Sequence, residues 1–217
     1  MKVPMSWLQA MVNLPDGTTT DKVAKALTNH TATVEKVEVV GGELTGPIVI
    51  GHILSSVPEP QKNGKVINWC RVDVGPRYNA EGHPKNIEEG VEGRGIICGA
   101  PNAVEGAWVV VSLPGAVLPG GFAISARKTY GHMSDGMLCA SDELGIGVDD
   151  AGIITLPPSV EGHQLVPGED ALPILGVPEE VLDVDVTPDI GYCMSMRGSV
   201  REVAHSMSVH FLVRDDE

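Results

Sequence analysis

Short apolar segments with a period of two recur through the middle of the chain, and Gly and Pro separate them. Such alternation is typical of β-strands that bury one face. The pattern predicts strands over residues 48–54, 68–74, 95–98, 108–111, 123–126 and 152–156. Because Gly and Pro place sharp turns between short strands, this region favours a small, strongly curved β-barrel.

The two ends of the chain predict a mixture of helices and a few strands. Toward the amino terminus we expect a helix over 7–12 capped by Ser6, a helix over 20–29 capped by Thr20, and a strand over 33–40. Toward the carboxyl terminus we expect a short helix over 170–175, a strand over 181–186, and a helix over about 196–209 capped by Ser195. The overall pattern is that of an α+β protein.

Two stretches mark boundaries or loops in this pattern. Gly41-Gly42 and Pro157-Pro158 bracket the strand-rich region and predict its limits. Residues 75–93 are rich in Gly, Pro and charge, and they predict a long, mobile loop.

The net charge of −14 argues against strong nucleic-acid binding by the chain as a whole. The charge is uneven, however. Residues 44–128 contain eight Lys and Arg against seven acids, whereas residues 129–196 contain thirteen acids and no Lys or Arg. The acidic stretch is either a solvated face or a docking surface for a basic partner, and the sequence leaves both readings open.

Cysteine spacing and hydropathy indicate the cellular setting. The four cysteines (70, 98, 139 and 193) have no C-x-x-C spacing, which argues against a zinc site and fits free thiols in a reducing cytoplasm. No leader pattern is present at the start, and no apolar run reaches the roughly 18 residues that a membrane span requires. We therefore expect a soluble, cytoplasmic protein without a membrane partner.

No combination of residues predicts a catalytic or metal site. Ser134 lies in a stretch that departs from the G-x-S-x-G nucleophile motif, and no amphipathic helix follows it, so we interpret it as a turn serine. The seven histidines lack metal-ligand spacing, which favours surface or capping roles for them. We expect no catalytic residue in this chain.

Several separated motifs together resemble one family. They are Cys98-Gly-Ala-Pro-Asn102, the Gly- and Pro-rich 113–122, Ser134-Asp-Gly-Met-Leu-Cys139 with Glu143-Leu-Gly145, the opening residues 1–8, and Val184-Asp-Val-Thr-Pro188 with residues 193–204. In this order they resemble the amino-terminal part of bacterial phenylalanyl-tRNA synthetase β subunits.

The resemblance implies a fold and a domain organisation. It implies an OB-fold β-barrel, the tRNA-binding domain, over residues 43–157. This barrel would be inserted into a discontinuous α+β domain formed by residues 1–42 and 158–200. Residues 201–217 would be the truncated start of the following editing domain.

The resemblance also implies a role. The family attaches phenylalanine to its tRNA with ATP and Mg²⁺ as an α₂β₂ assembly, with adenylation on the α subunit and editing beyond residue 217. This segment would bind tRNA and dock on its partners, without a cofactor or metal of its own. The alternatives are a free-standing OB-type tRNA-binding module and a protein-interaction scaffold without RNA contact.

Candidate RNA-binding residues are cations and amides that could lie along the barrel face. Cations there would meet phosphates, while an amide contacts sugars or bases. The candidates are Lys62, Asn63, Lys65, Arg71, Arg127 and Lys128. The alternative for each is an ordinary solvated surface position.

Overall fold

The computed structural model describes residues 1–85, 92–149 and 151–212. Within it the chain divides into two compact units. The first unit combines Met1–Gly42 with Pro178–Glu217, and the second is Glu43–Val177. Part of the predicted loop over 75–93, residues 86–91, lies outside the described residues.

The strands, in chain order, are β1 (Lys2–Pro4), β2 (Val34–Val40), β3 (Ile48–Pro60), β4 (Val66–Asp73), β5 (Arg94–Cys98), β6 (Trp108–Ser112), β7 (Val117–Leu118), β8 (Phe122–Ala123), β9 (Arg127–Thr129), β10 (His132–Ser134), β11 (Met137–Leu138), β12 (Thr155–Leu156), β13 (Ser159–Val160), β14 (His163–Gln164) and β15 (Glu179–Val184). The helices are α1 (Met5–Met11), α2 (Thr20–His30), α3 (Gly75–Ala80), α4 (Ala171–Ile174) and α5 (Met196–Met207), with short 3₁₀ segments at Pro119–Gly121 and Pro188–Met194.

The first unit packs helices against a three-stranded antiparallel sheet of order β1-β15-β2. Its core joins apolar residues of α1, α2, α5 and the sheet, among them Leu8, Leu27, Leu182 and Val203. Because the second half of α5 contributes Val203 to this core, residues 201–207 belong to this unit. That residues 201–217 begin a following domain stays a prediction.

Helix starts in the first unit confirm one predicted cap and correct two. The Ser195 hydroxyl accepts a hydrogen bond from the Gly198 N–H at 3.1 Å, as predicted. The cap of α2 is Thr19 and not Thr20, since Thr19 Oγ1 accepts from the Lys22 N–H. Helix α1 begins at Met5 without a side-chain cap, and the Ser6 N–H donates to the Glu179 carboxylate instead.

The second unit is built on one antiparallel sheet of order β11-β6-β3-β4-β5, to which β12 adds by pairing with β6. Strand β3 runs well past the predicted end at residue 54. Its first half pairs with β6 and its second half with β4, and the register shifts between Ile53 and Ser55. One long, irregular strand thus bends the sheet around its core.

The sheet is nearly closed into a barrel, which is compatible with an OB-like fold. At the outer edge of β5, the Asp135 N–H donates to the Gly95 carbonyl at 2.9 Å. The chain then continues into β11, which pairs with β6 on the opposite side of the sheet. Ile53, Val72 and Ile96 are fully buried among the residues that fill the interior.

Three details of the second unit differ from the sequence prediction. Residues 158–177 lie in this unit, because the Ile50 N–H donates to the Glu169 carbonyl and the Gly168 N–H donates to the Ile50 carbonyl. The start of the predicted 75–93 loop is helix α3. The predicted strands over 123–126 and 152–156 shorten to the two-residue β8 and β12. None of the helices in the described ranges is long and apolar enough to cross a lipid bilayer.

Candidate nucleic-acid interface

Strand β4 separates a core face from an outer face. Cys70 and Val72 point into the barrel core, and residues alternate sides along a strand. Trp69 and Arg71 therefore lie on the outer face, where the Arg71 guanidinium carbon is 5.6 Å from the centroid of the Trp69 ring. This distance is within the range of a cation–π interaction.

The indole of Trp69 rests directly on strand β5 at Gly95. A Cβ built on Gly95 would come within 2.2 Å of the indole carbon Cη2, a distance that real Cβ atoms essentially never show. The register agrees, since Trp69 pairs with Ile97 and its neighbour Arg71 pairs with Gly95. The missing side chain at residue 95 therefore creates the space that the indole fills.

The hairpin of β9 and β10 brings a second ring onto Trp69. The hairpin turns at Tyr130 and Gly131, which both have positive φ. Ser134, at the end of β10, fastens it to β5: its hydroxyl accepts from the Ile97 N–H at 3.0 Å and donates to the Gly136 carbonyl at 3.1 Å. Ser134 is thus a turn serine, as predicted.

His132 at the start of β10 stacks on Trp69. The ring centroids are 4.2 Å apart and the planes differ by 17°. Its Nε2 lies 3.0 and 3.1 Å from the two carboxylate oxygens of Glu59, on the neighbouring strand β3. These contacts hold the imidazole between an indole and a carboxylate.

An open cleft of about 340 Å³ lies beside this stack. Its lining combines the two rings of Trp69 and His132 with three basic side chains, Arg71, Lys85 and Lys128, and is completed by Gly131 and Met133. Basic groups around aromatic rings suit a ligand that carries both phosphates and flat bases.

The structure brings only some of the predicted RNA-binding residues together. Arg71 and Lys128 share the cleft. Arg127 precedes Lys128 in the strand and lines a separate depression of about 160 Å³ with the half-exposed Phe122.

The hairpin turn between β3 and β4 carries the remaining candidates: Lys62, Asn63 and Lys65. The Asn63 amide oxygen accepts from the Lys65 N–H at 3.1 Å, and all three residues are exposed. They do not line the cleft. Asn63 is therefore engaged in shaping its own turn.

Five of the residues that line the cleft are not among the predicted RNA-binding residues, and three of these five carry a ring or a charge: Trp69, Lys85 and His132. Trp69 had a usable signal, because it lies two positions from Arg71 in a predicted strand and shares its face. The sequence gives no such signal for Lys85 or His132, because each belongs to a segment that is distant in the chain from Arg71. For His132 the sequence predicts a surface or capping role.

Other chemistry in the described residues is limited. Within these ranges no three His, Cys, Asp or Glu residues are grouped so that they could hold a metal ion. The four cysteines are buried and unpaired with one another in disulfides. Burial raises the pKa of Cys139 to about 12 and that of Cys98 to about 11, so these thiols stay protonated near neutral pH.

Comparisons with known proteins identify the relatives of this chain. No family model matches it. It is 97% identical over 217 residues, 100% of this chain and 26% of the relative, to the phenylalanine–tRNA ligase β subunit of Cutibacterium acnes. The β subunit of Thermobifida fusca is 51% identical over 211 residues (97% of this chain, 24% of the relative), and that of Bifidobacterium longum is 45% identical over 208 residues (94% and 23%).

The chain spans about a quarter of the length of the curated relatives it matches. The matches cover nearly all of its residues, including both units of the structure. The resemblance found in the sequence motifs is thereby confirmed, and the chain belongs to the family of bacterial phenylalanine–tRNA ligase β subunits.

Proposed function

We propose that this chain contributes tRNA contact and subunit docking to a phenylalanine–tRNA ligase in the cytoplasm. In this proposal the second unit is an OB-type tRNA-binding domain inserted into the discontinuous first unit. The ligase attaches phenylalanine to tRNA with ATP and Mg²⁺ as an α₂β₂ assembly with the α subunit. Adenylation and editing are assigned to other parts of that assembly.

The cleft beside Trp69 carries the RNA-binding part of the proposal. Arg71, Lys85 and Lys128 surround it and can neutralise phosphates, while the ring stack of Trp69 and His132 supplies a flat apolar wall. Stacking of a base on an aromatic side chain is worth about 1–3 kcal/mol. The two features together match an unpaired nucleotide with its flanking phosphates better than a small apolar ligand.

A second contact is proposed at the depression that holds Arg127. Lys128 faces the cleft while Arg127 lines the depression, so adjacent residues of β9 supply cations to two neighbouring surface features. The Phe122 side chain is 50% exposed beside Arg127, which repeats the combination of a ring and a cation. One strand of RNA that crosses the β9–β10 hairpin could contact both.

Subunit docking is proposed for the first unit. The large apolar side chains that this unit exposes include Trp7 at 59%, Met194 at 63% and Tyr192 at 48% exposure. Aromatic residues and Met are enriched in protein interfaces. They suit packing against other parts of the assembly.

The net charge of −14 sets the conditions of the test. Binding through few phosphate contacts on an acidic protein should be weak and strongly salt-dependent. We would measure the affinity of the 217-residue chain for transcribed phenylalanine tRNA between low and physiological salt. The logarithm of the affinity should fall linearly with the logarithm of the salt concentration.

The double variant R71A/K128A tests the cleft. Each lost phosphate contact should reduce the salt slope by about 1. The matched control is K22A/K25A, which removes two cations from helix α2 in the first unit. If the two variants bind equally well, the cleft is not the contact, and absence of binding by the wild-type chain at low salt supports the scaffold alternative.

An activity measurement tests the assignment of catalysis elsewhere. The chain alone should form no phenylalanyl adenylate from phenylalanine, ATP and Mg²⁺, and it should not charge tRNA. Robust adenylate formation by this chain would overturn the proposed division of labour.

A further inference from the structure

A buried ion pair of Arg94 and Asp135 adjoins Gly95, on which the Trp69 ring rests, and takes no direct part in the proposed RNA contact. Arg94 on β5 is 4% exposed and Asp135 is 2% exposed. Arg94 Nη1 lies 3.4 Å from Asp135 Oδ2. A buried ion pair is often no more stabilising than apolar residues of similar volume, so its presence calls for a specific role.

The pair binds the backbone of the segment that leads to Lys85. Asp135 Oδ2 accepts a hydrogen bond from the His83 N–H at 2.5 Å, two residues before Lys85. Arg94 Nε donates to the Tyr78 carbonyl at 2.7 Å, within helix α3. The buried pair therefore forms hydrogen bonds at both ends of the segment from Tyr78 to His83.

The backbone of Asp135 is also hydrogen-bonded to the barrel. The Asp135 N–H donates to the Gly95 carbonyl at 2.9 Å, and Gly95 is the residue on which the Trp69 ring rests. Asp135 also directly follows β10, which carries His132 at its other end. One residue thus connects the Trp69 site, the β9–β10 hairpin and the backbone near Lys85.

We infer that Asp135 is a positioning residue for the RNA cleft: its buried carboxylate anchors the His83 backbone, which places Lys85 in the same cleft as Lys128. The inference rests on the proposed function and deepens it. Arg94 compensates the charge of this carboxylate and holds the preceding part of the segment through Tyr78. A charged acceptor makes shorter and stronger hydrogen bonds than a neutral one, which suits an anchor for a surface segment.

Two double variants isolate the anchor. R94M/D135N removes both charges but leaves an amide oxygen that can accept from the His83 N–H. R94M/D135L removes the charges and the acceptor. Both variants lose the hydrogen bond from Arg94 to the Tyr78 carbonyl. They differ in whether residue 135 can accept a hydrogen bond from the His83 N–H.

The first measurement is the salt dependence of tRNA affinity with and without K85A, in the wild type and in each double variant. It uses the 217-residue chain and transcribed phenylalanine tRNA. In R94M/D135N, K85A should lower the salt slope by about 1, as in the wild type. In R94M/D135L, K85A should leave the slope unchanged because Lys85 is no longer held. An equal effect of K85A in both backgrounds, or none in the wild type, overturns the inference.

A second readout does not depend on RNA. Amide hydrogen exchange near His83 should be faster in R94M/D135L than in R94M/D135N, since local opening sets the exchange rate. Equal exchange in the two variants contradicts the positioning role. If R94M/D135L fails to fold by circular dichroism, H83P replaces it, because proline removes the N–H donor and leaves both buried charges in place.

K128A separates this inference from the proposed function. If K128A and K85A both leave tRNA binding unchanged in the wild type, the proposed RNA contact is wrong. If K128A weakens binding but K85A acts equally in the two double variants, the contact stands and the positioning role of Asp135 is wrong.

Discussion

The indole of Trp69 stacks on the imidazole of His132 with their centroids 4.2 Å apart and their planes 17° apart. Trp69 belongs to the central sheet, whereas His132 belongs to a separate two-stranded hairpin. The stack therefore joins the barrel to the hairpin that supplies Lys128. The shape of the cleft depends on this joint, and each of its supports can be tested.

The first prediction concerns the space under Trp69. In G95A the new methyl group would meet the indole at 2.2 Å, so the ring must move, at a cost of about 1–3 kcal/mol in the free energy of unfolding. G99A is the matched control, because a Cβ on Gly99 meets nothing within 4 Å. Urea denaturation monitored by circular dichroism measures both.

A double-mutant cycle sharpens this test. In a W69A background the added methyl group has room, so G95A should cost clearly less than in the wild type. The steric account fails if G95A and G99A cost the same, or if the cost of G95A does not depend on residue 69.

The second prediction concerns the β3–β4 turn. K62A/K65A should weaken tRNA binding, with a loss that shrinks as salt rises, because exposed cations act through screened electrostatics. The loss should be smaller than for R71A/K128A, since the turn lies outside the cleft. Titrations with transcribed phenylalanine tRNA at two salt concentrations measure this, and an affinity equal to that of the wild type removes the turn from the interface.

The third prediction concerns the pH dependence of the first unit. Hydrogen bonds from Lys2, at 2.7 Å, and from Lys36 lower the pKa of Glu38 from 4.5 to about 2. A lowered pKa means that the ionised form favours the folded state, so its contribution is present above pH 4.5 and is lost as the pH falls through 2. The free energy of unfolding of E38Q should therefore fall less than that of the wild type over this range.

Denaturant titrations at several acidic pH values measure the difference for Glu38. E35Q is the matched control, because Glu35 lies on the same strand. Identical pH profiles for E38Q and the wild type would show that the lysine contacts contribute nothing to folding. The effect should also decrease in high salt, since these side chains are exposed.

The fourth prediction concerns the buried thiols. Desolvation raises the pKa values of Cys139, Cys98 and Cys70, and only the thiolate reacts with iodoacetamide. At about pH 8 the folded chain should be alkylated slowly at these residues, and in urea it should be alkylated quickly. A cysteine introduced by S6C at an exposed position is the control, and equal rates at Cys139 and at that position would contradict the prediction.

The sequence by itself determined most of the local structure. Period-two alternation located β3 to β6, because a strand with one buried face needs that pattern whatever surrounds it. Ser195 correctly predicted the start of α5, because a capping hydroxyl accepts hydrogen bonds from nearby backbone N–H groups. The motifs also determined the family, and the same alternation places Trp69 and Arg71 on one face.

Tertiary structure alone decided how the candidate site is assembled. His132 meets Trp69, and Asp135 anchors His83, across long separations in the chain, and no local pattern encodes such pairs. The extent of the barrel unit to Val177 likewise depends on hydrogen bonds between β3 and residues 168 and 169. Local preferences depend on neighbouring residues, whereas these contacts depend on the path by which the sheet closes, so they exist only once the barrel has formed.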